Sequence, residues 1–169
     1  MYKNILVAID DSETSRCALK EALHIAKCSD AKLYISHVTD DSLLNVHGHV
    51  FAHMAESEAA RAITTLSEAG QKLLVDAMLS ADGINAEALL LNASNRRVSE
   101  TIADKAKELG VDLIIIGRHG QRGLATLILG SVAEQLAKIA GASVLPVRKH
   151  CPDRAVRTKP VATGCQAKI

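Results

Sequence analysis

Gly117, Gly120, Gly130 and Ser131 are the residues whose types and spacing most directly suggest chemistry. They belong to a loop that begins Gly117-Arg118-His119-Gly120-Gln121-Arg122-Gly123 and continues to Gly130-Ser131. Glycines let backbone N–H groups come close to an anion. A helix starting at Ser131 would add N–H groups that lack acceptors and the positive end of its dipole. The Ser131 hydroxyl can reach a phosphate oxygen, and Arg118 and Arg122 can supply countercharge. The loop carries neither the G-x-x-x-x-G-K-[ST] of a P-loop nor the G-x-G-x-x-G of a dinucleotide fingerprint. On loop chemistry alone a plainer reading also stands, in which the glycines serve turns and a helix N-cap.

Other candidate groups are weaker. Asp10 and His119 could assist attack of water on a phosphate, but no nucleophile–base–acid set is readable from spacing. The lysine and metal ligands of P-loop hydrolysis are absent from their usual positions, which favours Asp10 as an orienting group and His119 as a loop residue. His47, His49 and His53 lie within seven residues and raise a metal site or an acid sensor. No cysteine is near them and their spacing is not a helical ligand pair, so solvated loop histidines are favoured. Cys17, Cys28, Cys151 and Cys165 form no C-x-x-C pair, and reduced thiols are the default in a reducing compartment. Cys151 and Cys165 could bridge on oxidation; a free-thiol tail is the favoured alternative.

The elements that would position these residues follow from pattern. Tyr2–Ile9 holds an unbroken apolar run, as in a strand buried on both faces of a parallel sheet. Asp11 or Ser12 could then cap a helix running to Cys28, with Ala18, Leu19, Ala22, Leu23 and Ala26 on its inner face. Ala31–Val38 reads as the second strand, and Asp40–Phe51 as a polar loop. Met54–Asp82 reads as a long helix that Gly70 weakens without breaking, closed by Gly83. Ile84–Leu91 is the third strand, Asn92–Asn95 a link, and Val98–Leu109 a helix ending before Gly110. Val111–Ile116 is the fourth strand, Ser131–Ala140 a helix, and Ser143–Val147 the fifth strand. Pro146 lacks an N–H, which assigns that strand to a sheet edge. Such β-α alternation predicts an α/β fold with a parallel sheet and helices on both faces. Ligands of such sheets bind beyond the carboxyl ends of the strands, where the winding reverses.

Composition excludes several classes. The 169 residues make one domain (1–149) with a basic C-terminal tail (150–169). A chain of this size buries roughly 68–70% of its unfolded surface, so the core needs no disulfide or metal. Twenty basic against nineteen acidic side chains leave +1, too little excess for a protein that coats nucleic acid. With only Tyr2, Tyr34 and Phe51 as aromatics, base-stacking platforms are not expected. No apolar run approaches the ~20 residues of a membrane helix, and the opening lacks a secretory signal, which predicts a cytoplasmic protein.

The glycine spacing Gly117-x2-Gly120-x9-Gly130-Ser131 resembles the nucleotide-binding signature of the universal stress protein family. Asn4-Ile5-Leu6-Val7-Ala8-Ile9-Asp10-Asp11-Ser12 is similar to that family's first strand and acidic turn, and Ala142–Val147 to its last strand. The resemblance covers about residues 1–149 and points to the ATP-binding branch. It implies an open, Rossmann-like five-stranded parallel sheet of order 3-2-1-4-5, with the ends of the first and fourth strands side by side. It implies ATP, ADP or AMP as ligand. Ala8, Ile9 and Asp10 would lie near adenine and ribose, and Val38 would meet the adenine through its backbone. Gly117, Arg118 and Gly120 would face ribose and phosphate, and Gly130, Ser131 and Val132 would form the phosphate turn.

Many members carry Gly where this chain has Asp11, and an acid beside an anion site favours an intervening Mg²⁺ held mainly by phosphate, with Asp10 nearby. The resemblance further implies a homodimer through the last strand, with Val144, Leu145 and Val147 in the contact, and a regulatory switch acting on a protein partner. The alternatives are a weak ATPase or self-phosphorylating enzyme, or an interaction module that needs no nucleotide.

Overall fold

The computed structural model describes residues 1–40, 56–94, 96–119 and 129–149. Five strands form one sheet: β1 (Asn4–Ala8), β2 (Lys32–Thr39), β3 (Ala86–Asn92), β4 (Leu113–Gly117) and β5 (Ser143–Val147). Four helices connect or flank them: α1 (Glu13–Ser29), α2 (Glu56–Leu79), α3 (Val98–Glu108) and α4 (Ser131–Ile139). The strand order is β3-β2-β1-β4-β5, and all pairings are parallel. This is the Rossmann-type arrangement expected from the sequence. The winding reverses between β1 and β4, which pair from Ile5–Leu113 to Ala8–Ile116.

The pleat sorts the central strands onto two cores. Ile5, Val7, Ile9, Leu33, Ile35 and Ile115 face α1 and α2. Leu6, Ala8, Tyr34, Ile114 and Ile116 face α3 and α4. Alternate residues of a strand point to opposite faces, so an unbroken apolar run is what a doubly covered strand requires. Helix α1 meets the sheet through Ala18, Ala22 and Ala26, at most 1% exposed. Their small side chains bring the helix axis close to β1 and β4. Strand β5 lies at an edge, where Pro146 is tolerated.

Element ends differ from the sequence reading in instructive ways. Helix α1 closes on Asp30, whose φ of 53° puts a non-glycine residue in the left-handed region. Helix α2 stops at Leu79, before the expected Asp82. The chain continues in tight turns, with Ser80, Ala81 and Ile84 each donating to the carbonyl three residues back. Gly83, at φ 72°, ends those turns and not the helix itself. The expected start of that helix at Met54, and the loop with His47, His49, Phe51 and His53, lie outside the described residues, as does the tail from 150. Among the described residues no helix is long and apolar enough to cross a membrane.

Candidate functional site

Two chain segments converge at the carboxyl end of the sheet: the turn after β1 and the loop after β4. The β1 turn is built around Asp10. Its Oδ1 accepts hydrogen bonds from the Ser12 amide (3.0 Å) and the Ser12 hydroxyl (2.5 Å). Ser12 is also the N-cap of α1, and its oxygen accepts from the Ser15 amide at 3.1 Å. Ser12 and Thr14 hydroxyls lie 3.2 Å apart, and the Thr14 hydroxyl donates to the His119 carbonyl across the reversal point. Asp10, Ser12, Thr14 and the His119 carbonyl therefore form one polar cluster at the start of the β4 loop, in which Ser12 donates to Asp10 and Thr14 to His119.

The glycines have a steric reason as well as a chemical one. A Cβ on Gly117 would sit 2.8 Å from Thr14 Oγ1 and 3.0 Å from the Ser15 amide nitrogen. A Cβ on Gly130 would sit 3.0 Å from the Arg118 carbonyl oxygen and 3.3 Å from His119 Cα. Contacts this short admit no side chain without displacing backbone. Gly117 thus lets α1 approach β4, and Gly130 lets the start of α4 fold back on Arg118 and His119.

That closeness corrects one expectation. The Gly130 amide was expected among the donors open to an anion, yet it donates to the Arg118 carbonyl at 2.8 Å. Among the described residues, the donors without a backbone acceptor begin one residue later. Helix α4 has Gly130 as N-cap, with no side-chain cap bond. The amides of Ser131, Val132 and Ala133 have no acceptor within the helix. Ser131 is exposed, Val132 is half-buried and Ala133 is buried. The helix dipole adds positive potential at this end.

Arg118 and His119 begin the loop after β4. Arg118 donates from its amide to the Val147 carbonyl at 2.7 Å, which fixes the loop to β5. Its Nε donates to His119 Nε2 at 2.9 Å. With Nε2 accepting, the neutral ring carries its proton on Nδ1. That Nδ1 is buried and has no hydrogen-bond partner among the described residues. His119, read from sequence as a loop residue, thus holds a buried ring nitrogen without a partner among the described residues.

The remaining sequence candidates are placed as follows. Ala8 and Ile9 are buried at the end of β1. Val38 is half-buried near the end of β2 and packs against the α3/α4 core. Asp11 is exposed and pairs with Arg16 at 3.2 Å. Val144 packs against one core, and Leu145 and Val147 against the other. Gly120 and Arg122 lie outside the described residues, as do the cysteines of the tail. Among the described residues no three His, Cys, Asp or Glu side chains group as a metal site.

Sequence reasoning missed Thr14 and Ser15, and it reached His37 only as part of the segment ending the second strand, without a partner. Ser15, 3% exposed, accepts from the Asp10 amide at 2.8 Å. His37 Nδ1 lies 2.8 Å from the Ile9 carbonyl. Short polar residues in the first turn of a helix were the available signal for Thr14 and Ser15. His37 was marked by its place at the carboxyl end of a strand, but its partner, 28 residues away, was not readable.

An open α/β sheet with an uncapped helix end and an acidic turn at its reversal point defines a class of small-ligand-binding Rossmann-like proteins. Within that class the comparisons fix the family. Residues 1–148 match the universal stress protein family. The chain is 32% identical over 151 residues to the universal stress protein YxiE of Bacillus subtilis, covering 88% of this chain and 100% of YxiE. Among solved structures it resembles the hypothetical protein MJ0577, with a TM-score of 0.75 and 26% identity over 90% of this chain and 99% of the other. It also resembles a universal stress protein solved in complex with cAMP, with a TM-score of 0.62 and 25% identity over 88% and 99% of the two chains. The chain belongs to the universal stress protein family.

Proposed function

We propose that this protein binds an adenine nucleotide (ATP, with ADP and AMP as alternatives) at the rim between β1 and β4. Binding acts as a regulatory switch in a cytoplasmic homodimer formed through β5. The observation that carries this reading is the uncapped start of α4, joined through His119 and Thr14 to the Asp10 turn. A phosphate would be held by the Ser131, Val132 and Ala133 amides and the Ser131 hydroxyl, with Arg118 as countercharge and His119 Nδ1 as a further donor. The relative solved with cAMP supports an adenine nucleotide as the ligand class. Ala8, Ile9, Asp10 and Val38 would line the nucleoside side, and Gly117 and Gly120 the ribose and phosphate side.

Mg²⁺ would be held mainly by phosphate oxygens. Asp10 already commits Oδ1 to Ser12, so it contributes orientation and negative potential near the ion and does not form a cage. Because Arg118 bonds to both β5 and His119, a ligand that draws on Arg118 changes the loop and the edge strand together. That is the proposed route from nucleotide to dimer and from dimer to protein partner.

Differential scanning fluorimetry with millimolar ATP, ADP or AMP and Mg²⁺ tests the reading. A ligand that binds only the folded state stabilises it by about 2.7 kcal/mol at a hundredfold excess over Kd. Absence of a shift with all three nucleotides overturns the proposal. Mass spectrometry of small molecules released from the purified protein identifies which one it carries.

A further inference from the structure

The peptide unit between Ile9 and Asp10 is held from both sides by side chains that belong to other elements. Its carbonyl oxygen lies 2.8 Å from His37 Nδ1. Its N–H donates to Ser15 Oγ at 2.8 Å. A carbonyl oxygen can only accept, so His37 carries a proton on Nδ1. The ladder between β1 and β4 ends at Ala8, which places this peptide one residue beyond it. The Ile9 amide still donates to the Ser36 carbonyl at 2.8 Å. One residue further, the carboxylate of Asp10 is turned toward Ser12.

The His37 ring is itself wedged. Gly70 is buried in the middle of α2, and a Cβ there would lie 2.7 Å from His37 Cδ2 and 3.3 Å from Nε2. A mid-helix glycine costs about 1 kcal/mol of helix propensity relative to alanine. Here it provides the space in which the imidazole reaches under α2 to the end of β1.

We infer that His37 is a positioning residue for the nucleotide site: it sets the Ile9–Asp10 peptide, and Gly70 of α2 sets His37. The inference rests on the nucleotide-binding reading above for its effect on affinity, while the positioning itself is observable without ligand. Helix α2 thereby gains a handle on a site it does not line.

The test uses the full chain and variants of His37 and Gly70. His37→Leu fills the space but removes the donor, and His37→Asn keeps an N–H near the Nδ1 position. Gly70→Ala pushes on the ring. ATP affinity by calorimetry falls about fivefold in His37→Leu and returns to within about twofold of wild type in His37→Asn. Gly70→Ala weakens ATP in the wild-type background and loses that effect in a His37→Ala background, where no atom stands at the Cδ2 position. Equal affinities for the Leu and Asn variants, or a Gly70→Ala effect indifferent to residue 37, overturn the inference.

NMR of the ligand-free protein provides the independent reading. The Asp10 amide resonance moves in His37→Leu and Gly70→Ala, and stays near its wild-type position in His37→Asn. If wild type binds no nucleotide, the nucleotide reading fails while the Asp10 resonance still decides the positioning. An Asp10 amide unmoved in His37→Leu overturns it.

Discussion

Helices α1 and α4 turn their N-termini toward the same rim of the sheet, and they end in opposite ways. The start of α1 is closed by its own side chains: Ser12 caps it, Asp10 holds Ser12, and Glu13 in its first turn pairs with Lys149 at 2.8 Å. The start of α4 has glycine as its N-cap and no side-chain bond. Identical backbone physics leaves both ends with unsatisfied N–H groups. The sequence places serine and acid at one end, and among the described residues no side chain caps the other. Closure fixes the frame, and the open end is where the proposed function puts the phosphate.

The contrast can be broken at its open end with the largest effect. Gly130→Val places side-chain atoms against Arg118 and His119, and the thermal shift given by a hundredfold excess of ATP over Kd, about 2.7 kcal/mol, disappears. At the closed end the loss is in stability. Gly117→Val drives Cβ into Thr14 and Ser15, and chemical denaturation should report an overpacking cost of about 1–3 kcal/mol. Ser12→Ala removes the cap and costs about 1 kcal/mol in the same measurement, while the shift on adding ATP persists. If Ser12→Ala instead abolishes the shift and spares stability, the division between a closed frame and an open site is wrong.

The smallest effect belongs to the opposite rim, which serves as a control. Asp112 Oδ2 accepts from the Lys3 amide at 2.7 Å and the Asn4 amide at 3.0 Å, fastening the start of β1. The Asn4 amide first, and then Lys3, hold this carboxyl below its usual pKa. A carboxylate whose pKa is depressed by folding stabilises above its unfolded pKa, about 3.9, and loses that contribution as pH falls through the folded value. The melting-temperature gap between wild type and Asp112→Asn should therefore hold from neutral pH to about pH 4 and close below it. ATP affinity should not change.

Much of the fold was legible because it rests on local pattern. The unbroken apolar runs of β1 and β4 gave buried parallel strands, and the four-residue spacing of Ala18, Ala22 and Ala26 gave the inner face of α1. The strand order came from family resemblance and not from pattern, since alternation alone allows several orders. At the candidate site the glycine spacing drew attention to the loop after β4, but its steric meaning was hidden. That Gly117 answers to Thr14, or Gly70 to His37, depends on contacts between segments far apart in the chain. Gly70 read as a weak point of a helix for the same reason: its benefit lies in another element. Helix and strand ends were missed by a few residues where turns such as 80–84 extend helical hydrogen bonding in a tighter form.

Pro146 has one more consequence. The Ser143 amide donates to Asp112 and the Val147 carbonyl accepts from Arg118, so these two residues face β4. Polar groups alternate along a strand, which turns the backbone of Val144 and Pro146 outward. The outer border therefore offers carbonyls at both positions but an N–H at only one. A neighbouring copy can rest against it, yet a continuous run of sheet bonds across the pair is interrupted at its middle, and stacking of copy upon copy into fibres is discouraged at this border.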